Sequence, residues 1–109
     1  MEPSRLEELK DANFHQEVMH SPVPVVVEFW SPECSFCRKM EKVLGKLADE
    51  YGGLLRVVKV NVLENPVTSS VFGVGGVPAF FYIVGGTISG QTTGAKSKGR
   101  LKRELGLEI

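Results

Sequence analysis

The chain carries two cysteines, Cys34 and Cys37, set three positions apart in the run SPECSFC. A disulfide between them would close too small a loop to stabilise the fold by restricting the unfolded chain, so the use that fits this spacing is reactivity. The local setting points the same way. Residues Val25 to Trp30 read VVVEFW, a β-branched and aromatic run that Ser31-Pro32 stops before a helical pattern begins at the first cysteine. A helix N-terminus offers partial positive charge and free backbone N–H groups, and both favour thiolate over thiol. The chemistry expected of such a pair is reversible dithiol/disulfide exchange.

Other chemistry is weaker on the same residues. His15 and His20 with the two cysteines would supply the two nitrogens and two sulfurs that zinc accepts tetrahedrally. The segment between them reads as a buried strand, which would separate the two pairs, so both histidines are expected to face solvent and no metal is expected. An iron–sulfur cluster would need four thiolates, two from each of two chains. The exchange chemistry requires no bound cofactor.

The elements that must position the cysteines follow from the pattern. Leu6 to Leu9 reads either as a helix opened by a Ser4/Glu7 capping box or as a short edge strand. Asp11 is expected to cap a short helix carrying Phe14 and Val18 on one face, which ends near His20-Ser21-Pro22. Val25–Trp30 is apolar on both faces except at Glu28, as a central strand covered on two sides would be. Beyond Cys34, Met40, Leu44 and Leu47 recur at helical steps among Arg38, Lys39, Glu41, Lys42, Lys46 and Asp49, and Gly52-Gly53 stops the helix. A strand is expected over Leu54 to Val62, and a short helix from Asn65-Pro66 to Gly73. The strand Ala79 to Val84 then turns through Gly85-Gly86 into Thr87 to Thr93, and Ser97 caps a last helix to about Leu105.

At 109 residues, with 42% apolar and 24% charged residues, the chain supports one domain, taken as residues 1–109. Thirteen basic and thirteen acidic residues balance, which gives no overall attraction to nucleic acid or anionic membrane. The bases gather late, at Lys96, Lys98, Arg100, Lys102 and Arg103; this is expected to be a solvated helix face, with a docking patch for an acidic partner as the alternative. No run approaches the length of a membrane span. The opening MEPSRLEELK is charged and shows no secretory h-region, so a reducing cytoplasm is expected.

VVVEFW, the C-x-x-C opening a long helix, KVNVLENP, GVGGVPAFFYIVGG and GAKSKGRLKREL, in that order, resemble the thioredoxin family over roughly Leu6 to Leu107. The resemblance implies an α/β thioredoxin fold: a central mixed β-sheet flanked by helices on both faces, with Val77-Pro78 as a cis peptide facing the cysteine pair. It implies a protein thiol–disulfide oxidoreductase that reduces protein disulfides, taking electrons from a thioredoxin-reductase-like donor and acting as a monomer. Cys34 would be the attacking thiol and Cys37 the buried resolving thiol. Val77 would pair its backbone with an extended substrate. Glu28 stands where the family usually has a buried aspartate, and Lys59 where it has a lysine. Glu28 would then relay a proton for Cys37, or else sit as a salt-bridged Glu28–Lys59 pair with no kinetic role. Trp30 matches a family tryptophan that packs beside the site, with either a functional or a purely structural core role.

The chain also departs from the family pattern. Glu33-Cys34-Ser35-Phe36-Cys37 replaces W-C-G-P-C, so Glu33, Ser35 and Phe36 rebuild the surface a substrate would meet. Glu33 adds a negative charge that opposes thiolate formation, while Arg38 and Lys39 favour it. Lys42 replaces a proline that kinks this helix in the family, and Leu63 stands where the family usually has an acid. A thioredoxin-like interaction or redox-sensing module without catalytic activity is the alternative function.

Overall fold

The computed structural model describes residues 6–107. In it, strands β1 (Glu7–Leu9), β2 (Val25–Trp30), β3 (Arg56–Asn61), β4 (Ala79–Val84) and β5 (Thr87–Thr93) form one sheet in the order β1-β3-β2-β4-β5. β1, β3 and β2 run parallel, whereas β4 and β5 are antiparallel to their neighbours, so the sheet is mixed as expected. Helices α1 (Ser35–Tyr51), α2 (Pro66–Val71) and α3 (Lys98–Leu105) and one π-helical turn (His15–Met19) cover it.

The period of two along each strand divides the core into two layers. Val26, Val57, Phe80 and Tyr82 pack with Met40, Leu44, Leu47 and Tyr51 of α1 and with Leu101 and Leu105 of α3. Val25, Val27, Phe29, Val58, Val60, Phe81 and Ile83 pack on the other face with Phe14, Val18 and Phe72. β2 lies at the centre and is buried on both faces, which explains its nearly unbroken apolar sequence. The β4–β5 turn is the two-residue Gly85-Gly86 hairpin, with φ of 58° and 80°, values open to glycine at little cost. Gly90 is required for a different reason. A Cβ there would collide with the Leu105 carbonyl, so its absence lets the end of α3 lie directly on β5.

Several expectations change. The first segment is the edge strand, since Glu7–Leu9 pairs with Val58–Val60; Ser4 of the alternative capping box lies outside the described residues. β3 begins at Arg56 because Gly52–Leu54 forms a 3-10 turn. As expected where lysine replaces the family's proline, α1 runs without interruption through Lys42. The late basic residues are not simply solvated: Lys98 and Lys102 pair with Glu50, and Lys96 and Arg100 pair with Glu104. The cations of this segment thereby tie α3 to α1 and to its own lead-in.

Asp11 caps a helix other than its own. The π-helical turn after it has no side-chain cap. The Asp11 carboxylate instead accepts from the Val67 N–H (3.2 Å), the Thr68 N–H (2.8 Å) and the Thr68 hydroxyl (2.6 Å), at the start of α2. Its own N–H donates to Asn65 Oδ1 (2.8 Å), and Asn65 Nδ2–H donates to the Asn61 carbonyl (3.0 Å). The first turn of α2 therefore takes its anion from a residue more than fifty positions away. The Thr68 hydrogen bond is the main cause holding the Asp11 carboxyl below its ordinary pKa of 3.8. Its depressed value means the stabilisation is full above pH 3.8 and lost as pH falls through the folded value. Asp11→Ala is expected to lower the neutral-pH Tm by several degrees. The gap from wild type should close on acidification below pH 4; a Tm equal to wild type at pH 7 would show that α2 does not need this anion.

Candidate active site

Ser31, at the end of β2, organises the turn that follows. Its carbonyl accepts from the Cys34 N–H (3.0 Å) and its hydroxyl oxygen from the Glu33 N–H (3.2 Å). That turn hands Cys34 to the N-cap position of α1 in extended backbone geometry, and its sulfur accepts from the Cys37 N–H at 3.1 Å. An N-cap sulfur bonded in this way receives one of the helix's unsatisfied donors together with the positive end of its dipole, the two influences that favour thiolate. Cys34 and Cys37 are joined as a disulfide, with Cα atoms 5.3 Å apart. Cys34 is half-buried and reachable from solvent, whereas Cys37 is 2% exposed. Arg38 is tied down beside them, its guanidinium donating to the Pro32 carbonyl at 3.0 Å.

Glu28, Trp30 and Lys59 share the sheet face that α1 covers, in step with Val26 and Val57. Glu28 is fully buried and neither carboxyl oxygen has a hydrogen-bond partner. Burial therefore raises its pKa from 4.5 to about 8; Lys59 opposes the rise, and Glu41 and Glu8 add to it. Lys59 is the in-register neighbour of Glu28, yet no salt bridge joins them. Its ammonium donates to Glu41 Oε2 on α1 (2.6 Å) and lies 4.6 Å from the centre of the Trp30 ring. Trp30 Nε1–H in turn donates to Glu8 Oε2 on β1 (3.0 Å). Glu41 and Glu8 are the residues that the sequence reading missed. Glu41 lies four positions after Cys37, one helical turn along the same side, but nothing in the sequence pairs it with Lys59.

The Val77–Pro78 bond is cis, with Pro78 buried and Val77 half-buried. Ala79 pairs with Phe29, which sets Pro78 beside the end of β2, next to the turn that carries Cys34. Glu33 and Ser35 are exposed. Phe36 is 57% exposed, with the Lys39 ammonium 5.5 Å from its ring centre. His15 and His20 pack on each other with ring centres 5.2 Å apart, on the segment whose Phe14 and Val18 belong to the opposite sheet face. Among the described residues no group of three or more His, Cys, Asp or Glu side chains gathers as metal ligands would.

A half-exposed sulfur at a helix N-terminus, backed by a buried sulfur one turn on, can accept and release an electron pair by thiol–disulfide exchange. The comparisons agree with this geometry. The Thioredoxin family profile matches residues 5–106. Thioredoxin 1 of Nostoc sp. is 39% identical over 98 residues, covering 90% of this chain and 92% of the relative. Thioredoxins of Synechocystis sp. (36% over 98 residues; 90% and 92%) and Haemophilus influenzae (35% over 101 residues; 93% and 94%) align almost as fully. With its Cys34–Cys37 redox pair, five-stranded mixed sheet and flanking helices, the chain belongs to the thioredoxin family and is a thiol–disulfide oxidoreductase.

Proposed function

We propose that this oxidoreductase works as a reductase of protein disulfides, with Cys34 as nucleophile and Cys37 as resolving thiol. The observation that carries the assignment is the half-exposed Cys34 sulfur accepting the Cys37 N–H at the start of α1, with Cys37 buried behind it. Cys34 thiolate attacks one sulfur of a substrate disulfide, forming a mixed disulfide and expelling the first substrate thiolate. Cys37 then loses its proton to Glu28, in the ionised fraction that grows as pH approaches 8, and attacks Cys34 Sγ. This forms the internal disulfide and expels the second substrate thiolate. The substrate has gained two electrons, and a dithiol donor of the thioredoxin-reductase type restores Cys34 and Cys37 in the reducing cytoplasm that suits this direction.

The substrate in this reading is an extended protein segment. It meets the backbone of Val77 beside Pro78, and it contacts the surface formed by Glu33, Ser35, Phe36 and Trp30. Lys59 acts on Glu28 through its charge, since it forms no hydrogen bond to it. The exposed Phe36 ring replaces the family's proline between the cysteines and favours apolar residues flanking the substrate disulfide.

In insulin reduction driven by dithiothreitol, wild type should accelerate precipitation, and Cys34→Ser and Cys37→Ser should both abolish the acceleration. Cys37→Ser should trap a mixed disulfide through Cys34, and Cys34→Ser should trap none; trapping through Cys37 would reverse the roles. A Cys34–Cys37 potential near about −270 mV supports the reductive direction, and one near about −120 to −180 mV would make the protein an oxidant or isomerase instead.

Glu28 predicts two pH effects. Because its folded pKa of about 8 lies above the ordinary 4.5, its contribution to stability is full below pH 4.5 and lost as pH rises through 8. The loss has an upper limit of about 5 kcal/mol. Glu28→Gln should flatten stability between those values in urea melts, and a variant as pH-dependent as wild type would refute the raised pKa. The same variant should slow resolution by Cys37 on the order of 10²-fold and remove its rise toward pH 8.

A further inference from the structure

Glu28 and Lys59 face one another in register on β2 and β3, on the side that α1 covers. A buried carboxyl with an ammonium as its cross-strand neighbour is the usual setting for an ion pair, because pairing offsets the cost of burying either charge. Here the pair is absent, and both Glu28 oxygens are without hydrogen-bond partners. The cation is occupied elsewhere, clamped between the Glu41 carboxylate at 2.6 Å and the face of Trp30 at 4.6 Å. The Trp30 ring is fixed in turn by Glu8 at 3.0 Å. The Lys59 side chain is 14% exposed, so a competing anion has a strong hold on it, whereas Glu41 reaches it from the surface of α1 at 49% exposure.

We propose that Glu41 is a positioning residue of the thiol site: with the Trp30 ring, its carboxylate retains the Lys59 ammonium and so leaves the buried Glu28 carboxyl without a counter-ion. The charged groups that act on Glu28 are Lys59 from β3, Glu41 from α1 and Glu8 from β1; β4 sets the uncharged Phe80 opposite it. Two anions and an occupied cation together favour the neutral acid. The consequence for catalysis rests on the proposed relay. When a donor thiolate attacks Cys34 Sγ, it forms a mixed disulfide there and breaks the Cys34–Cys37 bond. The electron pair goes to Cys37, and the neutral Glu28 carboxyl supplies the proton that the new thiolate takes. With Glu41 removed, Lys59 becomes free to pair with Glu28, and Glu28 would hold no proton to give.

The test is the titration of the Glu28 side-chain carboxyl, followed by carbon-13 NMR in the full-length oxidised protein, where neither cysteine titrates. Wild type, Glu41→Gln, Lys59→Gln and the double variant are compared. Glu41→Gln should lower the Glu28 pKa by at least about one pH unit, tenfold in proton affinity, and most of that lowering should vanish in the Lys59→Gln background. A Glu28 pKa unchanged by Glu41→Gln overturns the proposal. So does an equally large lowering when Lys59 is absent, since Glu41 would then act by its own charge alone. The pH profile of the Cys37 resolution step, measured on the same variants, separates the two ideas. If the Glu28 titration moves and the profile moves with it, clamp and relay both stand; if the titration moves and the profile does not, the clamp stands and the relay falls.

Discussion

The structure depends on one strand being covered on both sides. β2 is buried along its length, between β3 and β4 in the sheet and between two apolar layers above and below. A chain leaving such a strand has no room to continue in the plane. It turns at Ser31 to Cys34 and comes back over the sheet as α1, whose buried positions Met40, Leu44, Leu47 and Tyr51 follow from that return. The helix N-terminus is consequently held against the end of the central strand, at the surface. The reactive sulfur lies where unsatisfied N–H donors, partial positive charge and solvent access coincide.

The same layering accounts for the unusual state of Glu28. Alternation along β2 points every second side chain toward α1, so a carboxyl between Val26 and Trp30 has to enter the layer that holds Met40 and Leu44. In most proteins a charge at such a place is paired. Here the pairing capacity of the neighbourhood is spent one shell outward, between Lys59, Glu41, Trp30 and Glu8. A carboxyl in that position has a pKa near the range in which thiols ionise, which suits it to exchange a proton with a sulfur. Elsewhere charges are paired near the surface: Glu50 with Lys98 and Lys102, Glu104 with Lys96 and Arg100, and Arg56 with Glu7 and Glu17.

The departures within the cysteine motif itself lie on the outside of the site. Glu33, Ser35 and Phe36 all face solvent, whereas Cys37 and Glu28 are buried. Exchange chemistry needs only the two sulfurs, the helix terminus and a proton acceptor. The exposed ring and the added acid therefore alter what approaches Cys34 more than what Cys34 can do, which is how one fold serves many partners.

Sequence by itself determined the order of elements after the first segment, the central strand, the helix opening at Cys34, the Gly85-Gly86 hairpin and the family. Each of these is written in local periodicity, in turn residues or in the spacing of two cysteines, and none requires knowing what lies across the sheet. Tertiary structure alone decided the rest. Asp11 looked like the cap of the turn beside it and proved to cap α2, because a carboxylate serves whichever unsatisfied N–H groups the fold brings within reach. Lys59 stood in register with Glu28 and went to Glu41, because a long flexible ammonium pairs with the anion that costs least to reach, and that anion came from another element. Hydrophobic periodicity is a property of the chain and can be read along it; the partner of a charge depends on distances between segments remote in sequence, and those exist only once the layers have packed.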